Sequence, residues 1–127
     1  MSEELRGARV LVVEDDLESG EVVAEALQFV GCTVSRVSNG LLALDLLTKD
    51  PGSFHVVLLD LMMPVMNGLE LLQRLRGDER LRGIPVVVMS ANRGYNAADL
   101  GVRDVLRKPF GMDMLCAAVA SARPAPA

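Results

Sequence analysis

What most constrains this chain is an alternation, kept along its whole length, between short apolar runs and segments with helical spacing. Ala8–Val13 (ARVLVV) is compact and rich in β-branched residues, the pattern of a strand buried on both faces. Leu17–Gly31 follows, with Val22, Val23, Ala26, Leu27 and Val30 at helical spacing and Gly31 as the expected C-cap. Cys32–Val37 reads as a second strand, and Ser38 is the expected N-cap of a helix over Leu41–Lys49. Asp50-Pro51-Gly52-Ser53 has the composition of a turn. His55–Leu59 is the third and most apolar strand, and a loop over Met62–Gly68 leads from it to a helix over Leu69–Arg76. Ile84–Met89 and Val102–Leu106 predict strands four and five, while Gly94 and Asn96 leave room for only a short helix between them. Met112–Ala122 predicts the last helix, with Met112, Leu115, Cys116 and Val119 on one face.

Five strands alternating with five helices imply right-handed crossovers and a parallel sheet covered on both sides. The composition agrees, because half of the 127 residues are hydrophobic but only 3% are aromatic. Such a Val- and Leu-rich chain suits buried parallel strands better than an aromatic-rich sandwich. One compact domain is expected, with its core over about 8–123 and an extended Pro/Ala tail over 124–127. The net charge of −4 argues against a nucleic-acid partner. Cys32 and Cys116 share no close spacing and are expected to be small buried hydrophobes. The opening MSEELRGAR is polar and unlike a signal peptide, and no apolar run is long enough to span a membrane, so a cytoplasmic protein is expected.

In parallel sheets the binding site lies beyond the carboxyl ends of the strands. Strand one ends in Glu14-Asp15-Asp16, strand three in Asp60 and strand four in Ser90, and strand five leads to Lys108-Pro109. The fold would gather these distant residues at one edge. Clustered carboxylates raise one another's pKa unless a cation joins them. Oxygen donors suit Mg²⁺, which completes its shell with water and phosphate. A glycine-rich loop is missing after strand one, which argues against nucleotide binding.

The segments VLVVEDD, VVLLDLMMPVMNG, VVVMSA and VLRKPF, in this order, resemble the receiver domain of two-component response regulators, over about residues 8–123. The resemblance implies a flavodoxin-like (βα)5 doubly wound fold with strand order 2-1-3-4-5. It implies that Asp60 is the phosphoacceptor and that Mg²⁺ (or Mn²⁺) is held by Asp15 and Asp60, by Glu14 largely through water, and by the backbone carbonyl of Met62. Ser90 and Lys108 would bind the phosphoryl group, Pro64 would shape the loop after Asp60, and the Lys108–Pro109 bond would be cis. A histidine kinase or phosphotransfer protein would be the donor. The chain would be a phosphoacceptor signalling protein and not an enzyme, taking part in its own phosphotransfer and slow autodephosphorylation. Output would pass by protein contact, to an unidentified downstream protein or through a homodimer of the helix 4–strand 5–helix 5 face.

Two positions depart from the family pattern. Val105 stands where receivers usually carry Tyr or Phe, three residues before the lysine. Only 18 residues separate Ser90 from Lys108, about one helical turn fewer than usual, which implies a shortened fourth helix. The chain is therefore expected to accept phosphate without using aromatic rotamer switching. A phosphorylation-independent scaffold that keeps the fold is the alternative. A small Asp-nucleophile phosphatase is disfavoured, because Met62 occupies the place of its general acid. Asp16 is expected to be a solvated helix start, His55 to mark where strand three begins, and Met62, Met63 and Met66 to pack their loop over the core.

Overall fold

The computed structural model describes residues 4–124. Ten elements alternate along the chain: β1 (Arg9–Val13), α1 (Leu17–Phe29), β2 (Thr33–Val37), α2 (Gly40–Lys49), β3 (Val56–Asp60), α3 (Gly68–Arg76), β4 (Val86–Ser90), α4 (Ala97–Leu100), β5 (Asp104–Arg107) and α5 (Met112–Ala122). The five strands form one parallel sheet in the order β2-β1-β3-β4-β5. This is the flavodoxin-like order, with the topological switch between β1 and β3.

The period-two alternation of strand side chains explains the two cores. Val10, Val12, Val56, Leu58, Val87 and Met89 point to one face and pack with Val23 and Leu27 of α1 and Leu115 and Val119 of α5. Their neighbours Leu11, Val13, Val57, Leu59, Val86 and Val88 point to the other, where Ala43 and Leu47 of α2 and Leu71, Leu72 and Leu75 of α3 cover them. β3 and β4 are buried throughout, whereas β2 and β5 form the partly exposed edges.

Several boundaries differ from the sequence expectation, each for a local reason. α1 stops at Phe29, because Val30 is the C-cap and Gly31 turns with φ 105°. Val22 is 66% exposed instead of facing the core, since Val23, Ala24 and Leu27 define the buried stripe. Asn39, not Ser38, caps α2, its Oδ1 accepting from the Leu42 amide at 2.9 Å. Val102 belongs to the closure of α4, donating to the Ala97 carbonyl at 3.1 Å, so β5 begins only at Asp104. Met112 is 40% exposed at the first turn of α5. Cys32 is buried and Cys116 half-buried, both as free thiols. Residues 125–127 of the expected tail lie outside the described residues. Among the described residues no helix is long and apolar enough to cross a membrane.

At the edge away from the strand ends, His55 ties the start of β3 to β1. Its Nδ1 accepts the Arg9 amide at 2.9 Å, while the Arg9 guanidinium donates to the carbonyls of Ser53 and Gly52 at 2.7 and 3.1 Å. Burial first, and then the nearby charges of Arg9 and Arg123, hold His55 below its ordinary pKa of 6.5. Only the neutral ring can accept at Nδ1. A lowered folded pKa means that the unfolded chain binds the proton first on acidification, so this contribution is whole above about pH 6.5 and is lost as the pH falls. Urea titrations should show wild type about 1 kcal/mol more stable than His55→Ala near pH 8. That gap should shrink as the pH is lowered through about 6.5.

Candidate functional site

The carboxyl ends of β1, β3, β4 and β5 converge as the parallel register requires. Val13 pairs with Leu59, Asp60 with Met89, and Ser90 with Arg107, so Glu14, Asp60, Ser90 and Lys108 follow from adjacent strand ends. Backbone bonds fix the last steps. The Glu14 amide donates to the Val37 carbonyl at 3.1 Å, and the Lys108 amide to the Ser90 carbonyl at 2.9 Å. The Lys108–Pro109 peptide bond is cis.

Glu14, Asp60 and Ser90 are the buried polar residues among those described. Carboxylate oxygens of Glu14, Asp15 and Asp60 all lie within 4.8 Å of one another, with Asp15 on the exposed side. Lys108 reaches into this group, its Nζ 2.8 Å from Glu14 Oε1 and 3.6 Å from Asp60 Oδ2. Glu14 Oε2 is buried and has no hydrogen-bond partner. Burial, followed by the adjacent Asp60 carboxyl, pushes the Glu14 pKa up, and the Lys108 ammonium only partly opposes this. Burial works against the charge on Lys108, but the bond to Glu14 and the field of Asp60 prevail and raise its pKa. An all-oxygen donor set with an orphaned buried carboxylate oxygen fits a hard divalent cation.

The loop after β3 is shaped by close backbone contacts. Asp60 Oδ1 accepts from the Met62 amide at 3.1 Å, and the Gly68 amide donates to the Leu61 carbonyl at 3.0 Å. A Cβ on Gly68 would lie 2.7 Å from both the Asp60 carbonyl oxygen and the Leu61 Cα. Asn67 and Glu70 form a capping box at the start of α3. Met63 and Met66 pack into the core as expected, but Met62 is 71% exposed. Pro64 is followed by Val65 at φ 67°, a conformation that β-branched residues seldom adopt.

Asp16 stands outside the acidic group and caps α1, accepting from the Glu18 amide and the Ser19 hydroxyl at 3.1 and 2.9 Å. Ser90 Oγ accepts from the Asn92 amide at 3.0 Å. Val105 is half-buried and packs against the second core cluster. A cleft of about 410 Å³ opens beside Glu14 and Lys108, lined by Val22, Val23, Met89 and Phe110. The Lys108–Glu14 pair was not legible in the sequence, which places Lys108 only near an incoming anion. The capping box was legible in the Asn67-x-x-Glu70 spacing.

A doubly wound sheet with acids, a hydroxyl and a lysine at its carboxyl edge defines a phosphate-handling switch more closely than a nucleotide-binding fold. Residues 10–120 match the response regulator receiver domain family, and the chain belongs to it. It is 37% identical over 108 residues to the transcriptional regulatory protein CpxR homolog of Haemophilus influenzae, covering 81% of this chain and 44% of that relative. The chain thus spans less than half the length of such curated relatives. Among solved structures, the chemotaxis response regulator CheY4 of Vibrio cholerae aligns with TM-score 0.77 at 26% identity, covering 89% of this chain and 96% of that one. The receiver domain of the sensor histidine kinase PA1611 of Pseudomonas aeruginosa, which has a magnesium ion coordinated in its active-site cleft, aligns with TM-score 0.80 at 25% identity, covering 91% and 97%.

Two outcomes follow from the packing. Lys108→Met, measured with EDTA at pH 8, should lose about 1–3 kcal/mol because it strands two buried carboxylates. That deficit should shrink as the pH falls and Glu14, whose pKa burial raises, takes up a proton, and Glu14→Gln in the same background should recover most of it. Gly68→Ala should cost about 1–3 kcal/mol in a denaturant titration, since backbone rather than a flexible side chain meets the new methyl.

Proposed function

We propose that this chain is the phosphoryl-accepting element of a two-component pathway, taking the group from a phosphohistidine of a histidine kinase or phosphotransfer protein onto Asp60. The single observation that carries this reading is the ammonium of Lys108 held 2.8 Å from Glu14 and 3.6 Å from Asp60 inside a cluster of three carboxylates. A carboxylate oxygen of Asp60 forms the new bond to phosphorus. The bond from phosphorus to the imidazole nitrogen breaks with its electron pair passing to that nitrogen, which takes a proton from water. Lys108 and the Ser90 hydroxyl stabilise charge on the equatorial phosphoryl oxygens, the main demand of such a transition state.

Glu14, Asp15 and Asp60, with the Met62 carbonyl, would hold Mg²⁺ (or Mn²⁺), which when bound neutralises charge on the phosphoryl group. The resulting acyl phosphate is high in energy, so its formation can drive a conformational change read by a cytoplasmic partner or by a second copy at the α4–β5–α5 face. A scaffold that had lost the switch would gain nothing from buried Glu14 and Asp60, whose desolvation works against stability. Incubation with Mg²⁺ and acetyl phosphate should retard wild type on a phosphate-affinity gel. Asp60→Asn and EDTA-treated protein should run unretarded, and labelling that persists in Asp60→Asn would overturn the assignment.

A further inference from the structure

We propose that the groove at the amino edge of the sheet, on the side opposite the acids, seats residues 125–127 of this chain as an extended segment. Two turns form its walls. On one side Asp50 Oδ1 accepts the Gly52 amide at 3.2 Å, the Ser53 hydroxyl donates to the Asp50 carbonyl at 2.7 Å, and the Arg9 guanidinium holds the same turn from β1. On the other, the Leu81 amide donates to the Asp78 carbonyl at 3.0 Å and the Ile84 amide to the Leu81 carbonyl at 3.1 Å. Between them lies a space of about 370 Å³, walled by Pro51, Phe54, Ile84 and Pro85, with His55 and Arg80 beside them. Phe54 and Ile84 pack on the second core cluster but stay only half-buried.

The occupant is indicated by how the chain leaves α5. Arg123 is that helix's C-cap, at φ −62° and ψ 127°, close to the polyproline II geometry of about −75° and 145°. Its guanidinium donates to the carbonyls of Glu4 and Arg6 at 2.7 and 3.2 Å, which fixes the direction of exit. Pro124 then lies on the groove itself, so residues 125–127 start from its rim. They read Ala-Pro-Ala. Proline at 126 restrains the segment to the same extended form, so seating it costs little chain entropy. A polyproline II segment makes no hydrogen bonds within itself, and its rings pack well against aromatic surfaces. Its carbonyls need donors, and the groove has two. His55 accepts the Arg9 amide at Nδ1, which leaves its proton on Nε2, and the Arg80 guanidinium is exposed. Tethered at Pro124, the segment meets the groove at a higher effective concentration than a free peptide does.

This seat is independent of the chemistry at Asp60, so full-length protein labelled with nitrogen-15 and carbon-13 tests it by NMR without Mg²⁺. The Ala125 amide should have an order parameter near that of α5, about 0.85, and Pro126 should show nuclear Overhauser contacts to the Phe54 ring. Pro126→Gly, which alters no residue of the core or the acidic site, should drop Ala125 below about 0.6 and leave α5 unchanged. An Ala125 order parameter below about 0.6 in wild type, or one that stays high in Pro126→Gly, would overturn the proposal. So would contacts between Pro126 and Phe54 found only between labelled and unlabelled chains, since the groove would then seat a second copy.

Discussion

The ammonium of Lys108 lies between Glu14 and Asp60, and the arrangement of the sheet's carboxyl edge depends on that contact. Two carboxylates buried side by side repel each other and lose the water that would solvate them. Lys108 offsets part of both costs from a strand end three positions away from β1 in the sheet. It can do so only because β1, β3, β4 and β5 run in one direction and stop at one level. The strands that carry the acids lie in the core, with Val10–Val13 and Val56–Leu59 fully buried. A dense core leaves a charged group at its rim little freedom to relax away from its neighbour. One oxygen of Glu14 still has no hydrogen-bond partner, and three carboxylates share the single ammonium of Lys108.

The loop between β3 and α3 carries a second constraint of the same kind. Val65 is 72% exposed and gains little from packing, yet it holds φ 67°. A β-branched residue in that region costs on the order of 1–3 kcal/mol, so the loop's shape must be imposed from both sides. Met63 and Met66 are buried on either side of it, the Met66 carbonyl accepts from the Gly40 amide at 2.9 Å, and Gly68 sits against the backbone of Asp60 and Leu61. These contacts fix the chain that leaves Asp60, and through the Met62 amide they fix one oxygen of its carboxylate.

The architecture was legible in the sequence because its cause is local. Uninterrupted runs such as VVLL and VVVM are stable only where both faces of a strand are covered, and that requirement alone yields a parallel α/β sheet. The gathering of Glu14, Asp15, Asp60, Ser90 and Lys108 followed from the topology. Three things were hidden, because each depends on a contact between distant segments. Which residue partners Lys108 is decided by the distance across two strands. The exposure of Val22 follows from how α1 sits on the sheet, and periodicity gives that only to within one position of the helical wheel. The late start of β5 comes from Val102 closing α4, a competition for one backbone amide that propensity does not register.

Chemistry and readout place different demands on this fold. The chemistry needs particular residue types at four strand ends, and no substitution there leaves charge and geometry unchanged. On the α4–β5 side a four-residue α4 and Val105 coexist with the acidic cluster. Ser90 belongs to both parts: it is buried beside the acids, and it accepts the first hydrogen bond of the loop leading to Tyr95. In that bond the oxygen accepts, so the hydroxyl proton stays free to be donated toward the site.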